Sequence, residues 1–437
     1  MHISEGEKKI PVVGSYDVIV CGGGPSGIIA ATAAARNGAR TLLIERYGFV
    51  GGMAANALVS PVSEFRKNGR RIIDGIPFEL MERISALNGA NISLESGNVP
   101  IDDEAFKLAA QRMLLESGVT LLYHTYFSDC VMNEGRVSHV IVQNKAGRTA
   151  YECKAAVDCT GDVDLVRAAG YGTVKRAGLQ PSTLWFHLGE VDTDALTELF
   201  TDAKDGVMPV SETIRNRLGE LNQKGEMPIF GGPWISRHFH DGVVSINLLR
   251  ESTDASSPEQ FTQTECNMRE NLFRVIDILR ENFPAFKNCR LIKSGTQTGV
   301  RETYHIVGMY EMKADDIIDP KPFADMIAKG AHVIDIHKPD SIEQDIVILK
   351  KEYNIPYGIL VPVNSENVIA AGRCVCADEA AFSSLRVMAT CMAMGQAAGT
   401  AATICVKKGC SMCRMDTDLL VKELIEQGAV IDLRTCK

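Results

Sequence analysis

The chain has 437 residues, enough for two or three domains, and 45% of them are hydrophobic. Its 46 basic and 55 acidic residues give a formal net charge of −9. This balance excludes a basic nucleic-acid-binding protein, and the hydrophobic fraction excludes a disordered chain. Thirteen cysteines in so long a chain do not form the dense disulfide framework of a small secreted domain, and residues 1–15 lack the apolar run of an export signal. We therefore expect a cytoplasmic protein with reduced thiols.

The first part of the chain predicts a βαβ unit. Residues 16–21 (YDVIVC) form a short apolar run that ends in glycines, the pattern of a buried strand. An alanine-rich run over residues 26–37 predicts a helix that stops at Asn37-Gly38, and residues 41–44 (TLLI) predict a second buried strand. A parallel sheet with a helix on one face follows from this order.

Further elements follow in chain order. Residues 48–71 read as a loop, and helices are predicted over 77–88 and 102–117. Four short runs separated by turn residues, 120–123, 127–132, 137–144 and 150–153, predict an antiparallel meander beside the parallel unit. Residues 155–159 and 367–372 predict two more buried strands, each of which runs into a glycine-containing turn.

The uncharged stretch 387–406 is long enough to cross a membrane and contains Gly395-x-x-x-Gly399, a spacing found where membrane helices pair. Its residues are mostly Ala, Gly, Thr, Met and Cys rather than Leu, Ile and Phe. We therefore predict a buried helix packed closely against a neighbour, and no membrane partner.

The turn after the first strand fits the dinucleotide-binding pattern Gly-x-Gly-x-x-Gly. Gly22 permits a tight turn, Gly24 lets backbone N–H groups approach a pyrophosphate, and Gly27 allows the helix to pack closely on the strand. Glu45, at the end of the second strand, is placed to accept hydrogen bonds from ribose hydroxyls. The motif predicts a dinucleotide site and by itself leaves FAD and NAD open.

Three further segments carry a family resemblance: Glu45-Arg46 followed by Gly51-Gly52-Met53, residues 158–162 (DCTGD), and residues 367–399. Together they resemble the FAD-dependent oxidoreductase family, which is related to the glutathione-reductase and fumarate-reductase flavoproteins. The resemblance spans about residues 16–180 and 355–405 and touches residues 299–303. It implies FAD as the cofactor. The segments Thr303-Tyr304-His305 and Asp378-Glu379-Ala380 depart from the family pattern where substrate would bind.

The resemblance also implies which residues hold FAD. They are Gly22, Gly24, Pro25, Ser26 and Gly27 at the pyrophosphate; Glu45, Arg46 and Phe127 at the adenosine; Gly51, Gly52 and Met53 at the isoalloxazine side; Gly161 and Asp162 near the phosphates; and Gly372, Arg373 and Cys374 along the ribityl chain. A helix that opens near Ser384 would point its N-terminal N–H groups at the flavin pyrimidine edge. Reduced flavin carries negative charge there, which a helix N-terminus stabilises.

The amino-acid composition changes near Pro181: both tryptophans lie after this residue, and charged residues are more frequent there than in the preceding part of the chain. We predict an α/β fold: a Rossmann-like FAD-binding domain, with a parallel sheet and an antiparallel meander, interrupted by a mixed α+β substrate domain. The expected limits are 1–180 for the first part of the FAD-binding domain, 181–353 for the inserted domain and 354–437 for the second part.

The candidate catalytic residues come from the inserted segment. Arg301 would hold a carboxylate or another oxyanion, and His305 or His187 would act as acid or base near neutral pH. The alternative for Arg301 is an internal salt bridge, and for each histidine a structural hydrogen bond.

The predicted function is an FAD-dependent oxidoreductase that transfers a hydride between flavin N5 and a small-molecule substrate, with a further electron donor or acceptor. Two alternatives stay open: a flavin-dependent thiol–disulfide enzyme that uses Cys374 and Cys376, and a non-catalytic FAD-binding module. No metal site is predicted, because the pair Cys410 and Cys413 has no second pair at the spacing of a zinc site.

Overall fold

The computed structural model describes residue 3 and residues 6–200 and 210–431. The helices are α1 (Pro25–Arg36), α2 (Ile76–Ser85), α3 (Asp103–Glu116), α4 (Asp164–Ala168), α5 (Thr193–Glu198), α6 (Glu212–Gln223), α7 (Pro258–Asn282), α8 (Ala314–Ile318), α9 (Glu379–Leu385), α10 (Met388–Lys408) and α11 (Thr417–Glu426). The strands are β1 (Val12–Cys21), β2 (Thr41–Ile44), β3 (Arg66–Lys67), β4 (Arg70–Arg71), β5 (Thr120–Leu122), β6 (Tyr126–Asn133), β7 (Arg136–Asn144), β8 (Gly147–Asp158), β9 (Thr173–Lys175), β10 (Ser182–Gly189), β11 (Phe230–Arg237), β12 (Val244–Glu251), β13 (Arg290–Ser294), β14 (Tyr304–Ile306), β15 (Met326–Gly330), β16 (Ile334–His337), β17 (Gln344–Val347), β18 (Tyr353–Pro356) and β19 (Val368–Ala370).

Among the described residues, seven strands form one sheet in the order β5-β2-β1-β8-β7-β6, with β19 also on β8. The strands β5, β2, β1 and β8 run parallel, and β8, β7 and β6 form the antiparallel meander. In the centre, Val20 pairs with Leu43 on one side and with Val157 on the other. The predicted α/β class, a Rossmann-like parallel sheet with a meander, is confirmed.

Two strands of this sheet differ from their predictions. The run 120–123 was expected in the antiparallel meander, but β5 pairs in parallel with β2 at the edge of the sheet. The runs 150–153 and 155–159 were expected as two strands, but β8 is one continuous strand from Gly147 to Asp158. Its first half pairs with β7 and with the start of β1, where Val12 lies opposite Ala150. The same pairing extends β1 to Val12, four residues before its predicted start. Polar residues with side chains on the outer face break the apolar run without breaking the strand.

The helix α10 packs across α1 at very short range. A Cβ built on Gly395 would lie 2.2 Å from the carbonyl oxygen of Ser26, and one on Gly399 would lie 2.0 Å from that of Ala30. Only glycine allows the two backbones to come this close. The helix is long and apolar enough to cross a membrane, yet 89% of its apolar window is buried inside the protein. It is therefore a core helix, as the small residues predict.

A four-stranded antiparallel sheet, β11-β12-β10-β13, forms a second layer. Alternate residues of β10 divide between its two faces. Leu184, Phe186 and Leu188 enter a hydrophobic core with α6 and α7, whereas Thr183 and Trp185 face a cavity. This core draws on residues 184–289, while apolar residues within 312–361 pack into the core around α1 and α10. The domain limits given above remain a prediction.

Candidate active site and cofactor site

A cavity of about 640 Å³ lies between the C-terminal ends of the parallel strands and the four-stranded sheet. Its volume is within the range of about 300–1,000 Å³ that small-molecule and cofactor sites occupy. One wall comes from the turns after β1, β2, β8 and β19, and the opposite wall comes from β10, β11 and β12. Ligands of open α/β sheets bind at this end of the strands.

The glycine turn has the backbone geometry that its pattern predicts. Gly22 has a φ of +99°, and a Cβ built on it would lie 2.4 Å from the carbonyl oxygen of Cys159. At Gly24 the nearest atom to a built Cβ is the Cα of Gly52, 3.9 Å away, so this position is open to the cavity. No side chain caps the N-terminus of α1, which leaves its first-turn N–H groups free to bind an anion.

Glu45 is buried at the end of β2 beside the glycine turn. Its Oε2 accepts a hydrogen bond of 2.7 Å from the Gly23 N–H, and its Oε1 accepts one of 2.9 Å from the Tyr47 N–H. Burial raises the pKa of Glu45, and the two backbone donors oppose that rise. Arg46 donates to Gln297 at 2.7 Å, so it is held beside the same end of the cavity.

An ion pair between Arg373 and Asp162 lines the cavity. Arg373 donates from Nη2 to Asp162 Oδ1 at 2.5 Å, and the Thr303 hydroxyl donates to the same oxygen at 2.6 Å. Gly372 precedes the arginine with a φ of +119°, a conformation that favours glycine. Because Nε of Arg373 is buried and has no partner among the described residues, this guanidinium retains a donor for a ligand.

Three guanidinium groups, Arg250, Arg301 and Arg386, gather at the other end of the cavity and are here called the arginine cluster. Arg301 and Arg386 line the cavity, while Arg250 lies behind them with Nη2 3.1 Å from Gln344 Oε1. Burial and the neighbouring guanidinium groups hold the pKa of Arg301 well below its usual value. Burial likewise lowers the pKa of Arg250 to about 10.

One carboxylate accompanies the arginine cluster. Asp335 Oδ2 lies 3.4 Å from Arg386 Nη2 and 3.0 Å from His337 Nε2. Within the described part of the chain, neither Arg250 nor Arg301 has a carboxylate at salt-bridge distance; Arg301 donates instead to the Pro181 carbonyl and the Thr183 hydroxyl. The cluster therefore carries an excess of buried positive charge next to the cavity.

Comparison with known families identifies the family to which this chain belongs. The profile of the family described as FAD dependent oxidoreductase matches residues 17–424, nearly the whole chain. The chain belongs to the FAD-dependent oxidoreductase family. The family assignment suggested by the glycine turn, Glu45 and the segments after β8 and β19 is thereby confirmed, and so is FAD as the cofactor.

Two curated relatives of this FAD-dependent oxidoreductase are thiamine thiazole synthases. The protein from Aeropyrum pernix is 33% identical over 259 residues, which cover 55% of this chain and 88% of the relative. The protein from Saccharolobus solfataricus is 27% identical over 165 residues, 35% of this chain and 58% of the relative. Among solved structures, a geranylgeranyl bacteriochlorophyll reductase-like protein from Thermoplasma acidophilum covers 97% of this chain and 95% of its own at 13% identity, with a TM-score of 0.48.

The residues of this oxidoreductase fit FAD. The open position at Gly24 and the uncapped N-terminus of α1 lie where a pyrophosphate would bind, and Arg373, whose Nε has no partner among the described residues, lines the same cavity. A second helix, α10, begins at the cavity without a side-chain cap. The following predicted FAD residues line the cavity: Gly22, Gly24, Pro25, Ser26, Glu45, Arg46, Gly52, Met53, Phe127, Gly161, Asp162, Gly372 and Arg373.

Four predicted FAD residues lie outside the cavity lining: Gly27, Gly51, Cys374 and Ser384. A Cβ on Gly27 would lie 1.9 Å from the Gly22 carbonyl oxygen, so this glycine serves helix–strand packing. Ser384 lies inside α9, where its hydroxyl is 2.8 Å from that of Tyr353. The helix expected to open near Ser384 begins instead at Met388, because α9 ends at Leu385 and the next two residues turn the chain.

The two histidines proposed as acid or base also lie outside the cavity lining. His305 is buried, with Nε2 3.1 Å from Glu302 Oε1 and 2.9 Å from Arg176 Nη1. The His187 ring lies beside that of His238, tilted by 50° at a ring-centroid distance of 4.6 Å, and burial lowers the pKa of His187 to about 4. The buried hydrogen bonds of His305 fit its structural alternative, and the catalytic role of either histidine stays a prediction. Arg301 lines the cavity.

His337, which was not among the residues predicted from the sequence, lines the cavity beside the arginine cluster. Its Nε2 faces Asp335, while its buried Nδ1 has no hydrogen-bond partner among the described residues. Burial and the nearby Arg301 lower the pKa of His337, which keeps the imidazole neutral at neutral pH. The spacing Asp335-x-His337 on β16 is the only local signal in the sequence, and short Asp-x-His runs are too common to be diagnostic.

Proposed function

We propose that this FAD-dependent oxidoreductase acts on a small carboxylate-bearing substrate, which binds between FAD and the four-stranded sheet. The arginine cluster is the observation that carries this proposal. Three buried guanidinium groups lie around Asp335, because the other carboxylate near Arg386, Glu302, is already ion-paired with Arg176. A buried charge without a partner costs several kcal/mol, so a site with excess positive charge favours an anionic ligand.

Guanidinium geometry also favours a carboxylate. The planar fork of arginine donates two parallel hydrogen bonds to a carboxylate. Arg301 lines the cavity, and its fixed partners, the Pro181 carbonyl and the Thr183 hydroxyl, are both reached from Nη1. These contacts orient the side chain, and a substrate carboxylate would complete its hydrogen bonding.

His337 is the group proposed to take or give the proton that accompanies hydride transfer. With the N–H on Nε2, 3.0 Å from Asp335 Oδ2, the unpartnered Nδ1 carries the lone pair and accepts a proton from the substrate. The Asp335 carboxylate fixes this tautomer and stabilises the imidazolium that results. FAD, when bound, supplies the hydride acceptor or donor. Arg301 and Arg386 hold the substrate, and the Trp185 and Trp234 side chains exclude water from the same wall.

The thiol–disulfide alternative is disfavoured by the surroundings of the two cysteines. Cys374 is fully buried, and burial raises its pKa well above the usual thiol value. Cys376 is nearly buried with a raised pKa, and neither residue lines the cavity. A thiolate nucleophile is therefore not available at neutral pH.

The proposed partners are a small-molecule substrate and a separate electron donor or acceptor, without nucleic acid or membrane. The proposed location is the cytoplasm. The cysteines of the described residues are all free thiols, most of them buried, which supports a reducing compartment.

The test is an anaerobic titration of the FAD-loaded protein with metabolites in matched pairs, each carboxylate beside its primary amide. Flavin absorbance reports reduction, and reoxidation of the chemically reduced protein reports the reverse direction. We expect a carboxylate to react and its amide to fail. R301M should lose this selectivity, while R290M, which removes an exposed guanidinium, should keep it. Equal reaction of acid and amide would refute the substrate class, and a flavin that no compound reduces or reoxidises would favour the non-catalytic module.

A further inference from the structure

A group of histidines and aspartates lies away from the cavity, where the four-stranded sheet meets the helix α3. His238 and His240 follow β11 on a tight turn, in which the His238 N–H bonds to the Val243 carbonyl at 2.9 Å. Asp102 precedes α3 in the part of the chain before the meander. None of the three lines the cavity. The sequence carries the pattern His238-x-His240, but nothing in it indicates that Asp102 lies opposite.

The three side chains have the spacing of metal ligands. Asp102 Oδ2 lies 3.7 Å from His238 Nε2 and 3.7 Å from His240 Nε2. One ligand atom from each residue lies within 4.8 Å of the others. Zinc binds nitrogen and oxygen ligands at about 2.0–2.1 Å, so neighbouring ligands of a tetrahedral ion lie about 3.3 Å apart. Small rotations of the side chains would bring the three atoms to that separation.

Each ligand atom is available. The other oxygen of Asp102, Oδ1, accepts the Ala105 N–H at 2.8 Å and so caps α3, which fixes the carboxylate and leaves Oδ2 toward the histidines. The side chain of His238 is only 5% exposed, yet neither of its ring nitrogens has a hydrogen-bond partner among the described residues. A buried polar group without a partner is costly, and a bound ion would remove that cost.

A neighbouring set, Asp103, His187 and His238, also has its ligand atoms within 4.8 Å of one another. Two ammonium groups already neutralise Asp103: Lys293, which forms an ion pair with it, and Lys107, whose Nζ lies 3.4 Å from Oδ2. A second cation at Asp103 would be repelled by both. The free carboxylate oxygen of Asp102 is therefore the better ligand.

We propose that Asp102, His238 and His240 bind a divalent transition-metal ion of the zinc type. Two imidazoles and one carboxylate are ligands that zinc accepts, and a water molecule would complete the tetrahedron on the side of His240, which is 72% exposed. The ion joins the turn after β11 to the start of α3. It thereby links the four-stranded sheet to the layer that carries the glycine turn.

The experiment measures zinc binding to the full-length FAD-loaded protein after treatment with a chelator and dialysis. Bound zinc per chain comes from elemental analysis, and affinity comes from competition with a chromophoric chelator. We expect one tightly bound zinc ion per chain and a higher midpoint of thermal unfolding with zinc. H240A, at an exposed position, and D102N, which retains a capping oxygen, should each weaken binding by about 100-fold or more.

The matched control is D241N, which removes an exposed carboxylate from the same turn and should bind zinc as the wild type does. Absence of a stoichiometric ion in the wild type would overturn the proposal. So would zinc that remains bound in both H240A and D102N, because it would then reside on accessible thiols such as Cys266. Zinc content, zinc affinity and thermal unfolding do not depend on turnover, so the outcome of this experiment is independent of the test of the substrate class.

Discussion

The contact between α1 and α10 makes a strong prediction about Gly395. In G395A the new methyl carbon would lie 2.2 Å from the Ser26 carbonyl oxygen and 2.9 Å from its carbonyl carbon. Nonbonded carbon and oxygen atoms need more than 3 Å, so the helices must separate by about 1 Å, and overpacking of this kind costs about 1–3 kcal/mol. Ser26 lies in the first turn of α1, where the pyrophosphate is predicted to bind, so the same displacement should weaken FAD binding.

The matched control is G219A. Gly219 lies within α6, and nothing lies within 4 Å of a Cβ built there, so the substitution adds only helix propensity. It should stabilise the protein by about 0.5–1 kcal/mol. The two variants make the same chemical change and share the gain in helix propensity, so their free energies of unfolding should differ by the overpacking cost of about 1–3 kcal/mol.

The assay is denaturant unfolding of both variants with and without added FAD, together with the FAD content of each purified protein. We expect G395A to unfold at lower denaturant and to lose FAD during purification, while G219A keeps its FAD. If G395A were as stable as G219A and retained FAD equally, the two helices would not be in the contact described, and the reasoning would be refuted.

Three further predictions concern the two ends of the cavity and the cysteines. Because burial lowers the pKa of His337, kcat/KM should stay level as the pH falls through about 6.5 and decline only below it, where the base becomes protonated. H337N should reduce kcat by about 100-fold and remove that decline. A decline centred at about pH 6.5 in the wild type would contradict the assignment of His337 as the base. E45Q should weaken FAD binding by about tenfold, measured by flavin fluorescence titration of the apoprotein, because an amide cannot accept from both the Gly23 and Tyr47 N–H groups. The double variant C374S/C376S should retain substrate-dependent flavin reduction, whereas abolished turnover with bound FAD would revive the thiol–disulfide alternative.

The FAD side of the site was predictable because its signals are local. The strand, the turn at Gly22, the helix α1 and the second strand ending at Glu45 follow one another in the chain, and each requires a residue type that the sequence displays. The helix over 387–406 was likewise indicated by its small residues, since only a close neighbour explains Gly395 and Gly399. Its start at Met388 needed the structure, because α9 ends only three residues earlier.

The substrate side was not predictable in the same way. The guanidinium groups of Arg250, Arg301 and Arg386 come from distant segments, and the sequence distinguishes none of them from a surface arginine. Of the three, only Arg301 was proposed, because it falls in a segment that carries the family resemblance. His305 was proposed from the same segment, and His187 from its place just beyond the start of the inserted domain. Packing places both outside the cavity lining and places His337 within it.

The amino-acid sequence by itself determined the parallel βαβ unit and the dinucleotide turn, because backbone conformation and helix–strand packing at the turn depend on consecutive residues. FAD as the cofactor followed from the family resemblance of the segments around that turn and not from the turn alone. The tertiary structure decided the length of β8, the composition of the arginine cluster and the approach of Asp102 to His238 and His240. These features depend on which distant segments pack together. Side-chain convergence of that kind leaves no periodicity or spacing in the sequence, since each partner alone is an ordinary residue.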